Sequence, residues 1–295
     1  MRIGAVNYLN SKPLVCGLEG AAPGVRVTYD LPSRLAESLA AGRLDVALVP
    51  SVEFFRAAQH RIVSDACVAC RGPVLSVKLH FRVPPREVRS VALDEGSRTS
   101  AALTQILLAE RYGVRPRWER LAIGSGIQET GADAVLLIGD RAIEKADGGG
   151  RRADGQRPSP QSPAPSTFCE VWDLGEQWTE WTGLPFVFAM WIARDGVDIS
   201  HVAGVLEAAR DRGLSQLDAI AAHEAPVVGI SRELATRYLR ENLHFRLGGE
   251  EWAGLRKYYE LCVAHELAPS GIEAHLGGGS AGRVLTGDSA LWPTL

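Results

Sequence analysis

The stretch Asp45-Val46-Ala47-Leu48-Val49-Pro50-Ser51-Val52-Glu53 opens on a short apolar run and closes on a proline and a serine. Asp45 to Val49 shows no alternation of polar and apolar residues, so both faces of a strand here would be covered, as in a sheet flanked by helices. Pro50-Ser51 stops that strand and starts a helix. Upstream, Arg2 to Val6 and Val25 to Asp30 read as two more strands. After the second, Leu31, Leu35 and Leu39 recur at i, i+4 and i+8 as the apolar stripe of a helix. Strands and helices that alternate through short connections are the signature of βαβ units, and the fold class expected is α/β.

Further out, Ile62 to Cys67 and Val74 to Phe81 are strand candidates, and the pattern restarts after Pro84-Pro85 with strand Val88 to Leu93 and helix Thr99 to Arg111. Strands near Arg115 to Trp118, Ala134 to Ile138 and Cys169 to Asp173 make a second set. The apolar run Leu184 to Ala193 reads as a strand that crosses back, and helices then dominate to about Leu267. The expected division is a first lobe from residues 1–88 and 190–275 and a second lobe from 89–189. Between Asp147 and Ser166, 11 of the 20 residues are Gly, Pro or Ser, which predicts a disordered insertion. Residues 276–295, with Gly277-Gly278-Gly279, are expected to form a loose tail.

A chain of 295 residues that is 46% hydrophobic can bury a core for two such lobes. The net charge of -3 lacks the basic surplus that nucleic acid or an anionic membrane selects. No window is apolar for long enough to span a bilayer, and the N-terminus turns polar at Asn7, too soon for a signal sequence, so a cytoplasmic protein is expected. Five irregularly spaced cysteines, Cys67-x-x-Cys70 among them, read as thiols. The seven histidines are scattered, and none forms a metal-ligand pair on a helix. Neither glycine-rich nucleotide motif is present, so no metal and no cofactor are expected.

Ligands of open α/β sheets bind beyond the carboxyl ends of the strands. Three polar segments lie there: Asn7 to Pro13, Pro50 to Glu53, and Asp94 to Ser100. In the last, Gly96 allows close approach, and Ser97, Thr99 and Ser100 bring hydroxyls to a helix N-terminus, where free N–H groups favour an anion. The same residues would equally serve as helix caps. Asn10 reads from its type as a turn residue, Ser76 as a polar residue in mid-strand, Glu53 as a dipole-matched carboxylate, and Asp140 as an N-cap.

Taken together, Asn7-Tyr8-Leu9-Asn10-Ser11, Asp45 to Phe54, Gly72-Pro73-Val74-Leu75-Ser76, Ser97-Arg98-Thr99-Ser100, Leu137-Ile138-Gly139-Asp140 and Trp181 to Ala189 resemble the chorismate dehydratases of the futalosine route to menaquinone. The resemblance runs in order from Arg2 to Phe245. It implies a fold like the type II periplasmic binding proteins, each lobe a mixed, mostly parallel sheet flanked by helices. It implies the loss of water from chorismate to give 3-[(1-carboxyvinyl)oxy]benzoate, without a cofactor. The sister dihydroxynaphthoate synthases share the fold but open on a different Pro/Cys-containing motif, so Asn7 to Ser11 favours the dehydratase.

Carried onto this sequence, the resemblance makes Asn10 and Ser76 the catalytic residues. Tyr8, Ser11, Pro50, Ser51, Ser97, Arg98, Thr99, Ser100, Gly139 and Asp140 would bind substrate. Ser97, Thr99 and Ser100 would hold one carboxylate, and no single Asp or Glu would be the base. The expected partner is the small molecule alone, with a homodimer left open. A solute-binding protein shares the fold but works outside the membrane, and a ligand-sensing regulator would carry a DNA-binding module.

Overall fold

The computed structural model describes residues 1–21, 24–57, 59–143, 168–272 and 276. The expected insertion at 147–166 lies outside them, as does the tail apart from Leu276. Within them the strands form two sheets.

The first sheet is built around a wholly buried strand. Strand β3 (Val46–Pro50) is buried along its whole length, and β1 (Arg2–Val6) lies parallel to it and to β2 (Arg26–Asp30). Helix α1 (Pro32–Ala40) covers them with Leu35 and Leu39, both about fully buried; burial of each contributes roughly 2 kcal/mol. On the other side of β3 come β10 (Phe186–Ala193), β4 (Arg61–Cys70) and β11 (His244–Arg246), all antiparallel to their neighbours. The order is β11-β4-β10-β3-β1-β2.

The second sheet has the order β7-β6-β8-β5-β9. Strands β6 (Ser90–Asp94), β7 (Arg117–Leu121) and β8 (Ala134–Ile138) run parallel. Strands β5 (Val77–Phe81) and β9 (Glu170–Asp173) complete it through antiparallel pairings. Helix α3 (Thr99–Tyr112) follows β6, and α4 (Leu174–Thr182) follows β9.

Two expectations need correction. The sheets are mixed but not mostly parallel, because the strands next to the crossovers run antiparallel to their neighbours. The lobe boundaries also move. Val77–Phe81 already belongs to the second sheet, so the chain has crossed by residue 77 and not after 88. It is back in the first sheet by Phe186, not 190. Pro84-Pro85 merely begins a short 3-10 turn inside the second lobe.

The C-terminal part adds α5 (Val202–Ser215), α6 (Leu217–Val228), α7 (Arg232–Arg237), a π-helical turn at Tyr238–Asn242 and α8 (Gly249–Ala264). Helix α8 comes so close to the returning chain that a Cβ on Gly254 would stand 2.0 Å from the Pro185 carbonyl oxygen. An aromatic seam then ties the lobes together. Trp178 of α4 lies 5.1 Å from Phe186, and Phe186 lies 4.9 Å from Tyr258 of α8, ring centre to ring centre. Edge-to-face pairs of this kind add to the gain from burial.

Candidate active site

β1 ends at Val6, and the chain turns through Tyr8 into a 3-10 helix at Leu9–Val15 that carries Asn10. Ser11 braces this turn: its hydroxyl donates to the Val6 carbonyl and, at 2.8 Å, to that of Tyr8. Fully buried and spent on backbone, Ser11 supports the turn and has no free group for a ligand.

The second lobe meets this turn through residues 139–142. Asp140 accepts the Leu9 N–H at Oδ1 across 2.9 Å. The position before this 3-10 turn is Ile138, so Asp140 does not cap its own helix, as first expected; it caps the facing one. Burial raises its carboxyl to about 6, against the pull of the Leu9 N–H and nearby Lys12. Gly139 has φ +71°, and a Cβ there would press to 2.8 Å from the Tyr8 ring. Only glycine fits that conformation and that contact. Burial pushes the Tyr8 phenol up to about 12, so it stays protonated.

Ser76 sits just before β5, not in mid-strand. The preceding Leu75 has φ +60°, and the Ser76 N–H donates back to the Val74 carbonyl at 2.7 Å, a strained three-residue turn. Asp173 holds the turn in place by accepting the N–H groups of Val74 at 2.9 Å and Leu75 at 2.6 Å. The same carboxylate caps α4 through Gly175 and Glu176. On the other side, the Ser76 carbonyl accepts the Gly139 N–H at 2.9 Å. The Ser76 backbone is thus clamped from both sides, while its side chain is buried.

Sequence reasoning also missed a buried polar residue of the C-terminal part. Tyr238 opens the π-helical turn and is fully buried, and that burial makes its phenol a still weaker acid than usual. Among the described residues, neither Tyr238 Oη nor Ser76 Oγ completes a hydrogen bond of normal geometry. Asn242, at the far end of the turn, donates to the Pro73 carbonyl at 2.9 Å and fastens it to the crossover. A π turn is rare and often marks a functional position, but an aromatic residue in a helical stretch gives no such signal in sequence.

The start of α3 faces the first lobe. Buried Asp94 shapes the loop before it by accepting the N–H groups of Gly96 at 3.0 Å and Ile138 at 3.2 Å, and it pairs with Arg141. The cap position of α3 is Arg98, and no side chain caps the helix, so Ser97 and Thr99 do not act as caps. Thr99 bolts the lobes together: its Oγ1 accepts the Val52 N–H at 3.2 Å and meets Ser51 Oγ at 3.3 Å. Ser51 itself donates to the Val187 carbonyl, and Tyr258 donates to the Thr99 carbonyl. Pro50 lies in the ladder opposite Ala189 and, as a proline, has no N–H to offer. The Arg98 guanidinium is taken up by Glu53 of α2 (Val52–Arg56) at 3.0 Å and by Glu37 of α1 at 2.8 Å.

Of the residues singled out in the sequence, Tyr8, Asn10, Ser76, Gly139 and Asp140 therefore form one patch between the lobes. Ser11, Pro50, Ser51, Arg98 and Thr99 hold the framework around it. Ser97 and Ser100 are buried at the start of α3.

A profile of the family described as menaquinone biosynthesis matches residues 1–264. The chain belongs to this family. A chorismate dehydratase of Thermus thermophilus is 34% identical over 265 residues, covering 88% of this chain and 93% of the relative. In three dimensions the chain is similar to a protein of Archaeoglobus fulgidus (TM-score 0.66, 15% identity, 90% of this chain and 97% of that one). It is also similar to the periplasmic aliphatic sulphonate binding protein of Escherichia coli (TM-score 0.58, 16% identity, 100% and 96%). A Candida albicans protein with the generic periplasmic-binding-protein fold gives a TM-score of 0.60 at 12% identity, over 98% of both chains. These structural likenesses show the fold, which is the periplasmic-binding-protein fold expected for this family member. No helix among the described residues is long and apolar enough to cross a membrane.

Proposed function

We propose that this chain is a chorismate dehydratase, a carbon–oxygen lyase that removes water from chorismate to give 3-[(1-carboxyvinyl)oxy]benzoate in menaquinone synthesis. The observation that carries the reading is the 34% identity to the Thermus dehydratase over most of both chains. The cluster of polar groups around Asn10 and Ser76, with the open start of α3 beside Tyr8, supports it. We place the reaction in the cytoplasm.

Substrate and product differ by one water, so the reaction transfers no electrons to an acceptor. A ring proton leaves, its bonding pair becomes part of the new aromatic ring, and the ring hydroxyl departs as water. In this reading the α3 N–H groups with Ser97 and Ser100 hold one carboxylate of the dianion. Asn10 and Ser76 orient the ring and stabilise the charge that develops on the enolised ring carboxylate or the departing hydroxyl. Glu53 is engaged by Arg98 and Arg56, and Asp140 by the Leu9 N–H. In this reading the substrate's own enolpyruvyl carboxylate acts as the base, adequate because it is held in place and aromatisation drives the step.

The test is to mix purified protein with chorismate and follow the mixture by chromatography and mass spectrometry. An aromatic product lighter by one water is expected. Chorismate that binds and returns unchanged would instead mark a solute-binding protein on the same fold.

A further inference from the structure

We propose that Asp173 is a positioning residue for the elimination: by gripping the N–H groups of Val74 and Leu75 it holds the turn that fixes where the Ser76 side chain stands. The inference rests on the dehydratase reading and adds to it a residue from the junction of β9 and α4.

Three observations carry it. First, the Asp173 carboxylate does more than cap a helix. Capping α4 takes only the N–H groups of Gly175 at 3.0 Å and Glu176 at 3.2 Å, both on Oδ1. The same oxygen also accepts the Val74 N–H at 2.9 Å, and Oδ2 accepts the Leu75 N–H at 2.6 Å. Second, the turn held in this way is one that a leucine resists. Leu75 has φ +60°, a conformation natural to glycine, and such strain persists only where the surroundings impose it. Third, the start of α4 is built against the crossover. A Cβ on Gly175 would stand 2.5 Å from Cys70 Sγ and 2.6 Å from the Gly72 carbonyl oxygen, so the grip cannot shift unless the helix moves with it.

Leu75 immediately precedes Ser76, and its backbone angles set the direction in which the Ser76 side chain leaves the chain. The Ser76 carbonyl is tied to the second sheet by the Gly139 N–H at 2.9 Å. With Asp173 holding the other end of the turn, Ser76 meets the substrate already placed. Placement of this kind acts on rate, since a shift of about 1 Å can cost on the order of a hundredfold. The carboxylate held at the start of α3 does not depend on this turn, so substrate affinity should be spared.

The experiment is steady-state kinetics with chorismate on Asp173→Asn, Asp173→Ser, Leu75→Gly and the double variant Asp173→Asn/Leu75→Gly, with thermal unfolding of each. Asparagine can keep its amide oxygen on the Gly175 and Glu176 N–H groups, but its NH2 group then faces the Leu75 N–H, donor against donor. Helix α4 stays capped and the turn is released. Serine also caps the helix but offers a single oxygen. Either variant should lower kcat by roughly ten- to a hundredfold with KM changed by less than about threefold. Tm should fall by no more than about 5 °C, because the cap is kept. In the Asp173→Asn background, Leu75→Gly should raise kcat by about fivefold or more beyond what it does in the parent, because glycine takes φ +60° without being held.

A residue that serves stability alone would lower kcat only in proportion to the folded fraction at the assay temperature. That outcome, a parent-like kcat in Asp173→Asn, no recovery on adding Leu75→Gly, or failure of both single Asp173 variants to fold would each overturn the proposal. If the parent protein itself leaves chorismate unchanged, the dehydratase reading fails and this proposal fails with it. An active parent with an unaffected Asp173→Asn refutes the role of Asp173 alone.

Discussion

Replacing Asp140 by Asn should stabilise the protein at neutral pH and do almost nothing in mild acid. The Asp140 carboxyl is raised by burial from 3.8 to about 6, so the folded state holds its proton more tightly than the unfolded chain does. Below pH 3.8 both states are protonated and the group contributes no difference. Between the two values the unfolded chain ionises first, and stability falls by about 1.4 kcal/mol per pH unit. Above about pH 6 both are ionised, and the full cost, roughly 3 kcal/mol, is in place. Asparagine escapes this cost and can still accept the Leu9 N–H at its amide oxygen. Urea unfolding of both proteins at pH 4 and pH 7.5 is the assay. The advantage of Asp140→Asn should be about 0.5 kcal/mol at pH 4 and about 3 kcal/mol at pH 7.5. An equal gap at the two pH values, or a variant less stable at pH 7.5, would refute the argument that burial dominates at this site.

Other consequences can be checked by kinetics and unfolding. If the substrate supplies the base, Glu53→Gln and Asp140→Asn each keep kcat within about tenfold of the parent, whereas removing a true general base costs on the order of a hundredfold to ten-thousandfold. A thousandfold fall in kcat at unchanged KM and fold would identify the base. Arg98→Met cuts two ion pairs that span the lobes; each is partly exposed and contributes at most about 1 kcal/mol, so KM should rise by roughly three- to tenfold. Parent-like KM would mean that the pairs do not help to hold the lobes in the arrangement that binds substrate. Leu75→Val should be less stable than Leu75→Gly by about 1–2 kcal/mol, since a β-branched residue resists φ +60°. Identical melting curves would show that the turn relaxes around either residue.

What was legible in the sequence follows from the range of the interactions involved. Strand β3 and the helix stripe of Leu35 and Leu39 could be read directly, because burial on a periodic element leaves its period in the sequence. The lobe boundary was misplaced by about ten residues because Pro84-Pro85 is a conspicuous local signal, whereas the true crossover is made by Asp173 gripping Val74 and Leu75 from 99 and 98 positions away. The site behaves in the same way. Asn10 and Ser76 were legible only through their motifs, and nothing local marks Ser11 as a brace or Thr99 as a bolt between lobes. Tyr238 is fully buried on a π turn that composition does not announce.

The cations near the site are already paired: Arg98 with Glu53 and Glu37, Arg141 with Asp94, and Lys12 with Glu224. A dianionic substrate would therefore be held by N–H groups, hydroxyls and amides, and it would bring negative charge toward Asp140 without a free cation, among these described residues, to offset it. A nearby like charge favours the protonated carboxyl. Since Asp140 starts at about 6, it is mostly ionised at pH 7, and binding should drive it to take up a fraction of a proton. Calorimetry with a non-reacting dianionic analogue, in buffers of different ionisation enthalpy at pH 7, measures that uptake directly, and Asp140→Asn should abolish it. Binding with no proton uptake in the parent would mean that the ligand keeps away from the Asp140 side of the cleft. The carboxylates would then have to be assigned wholly to the α3 start.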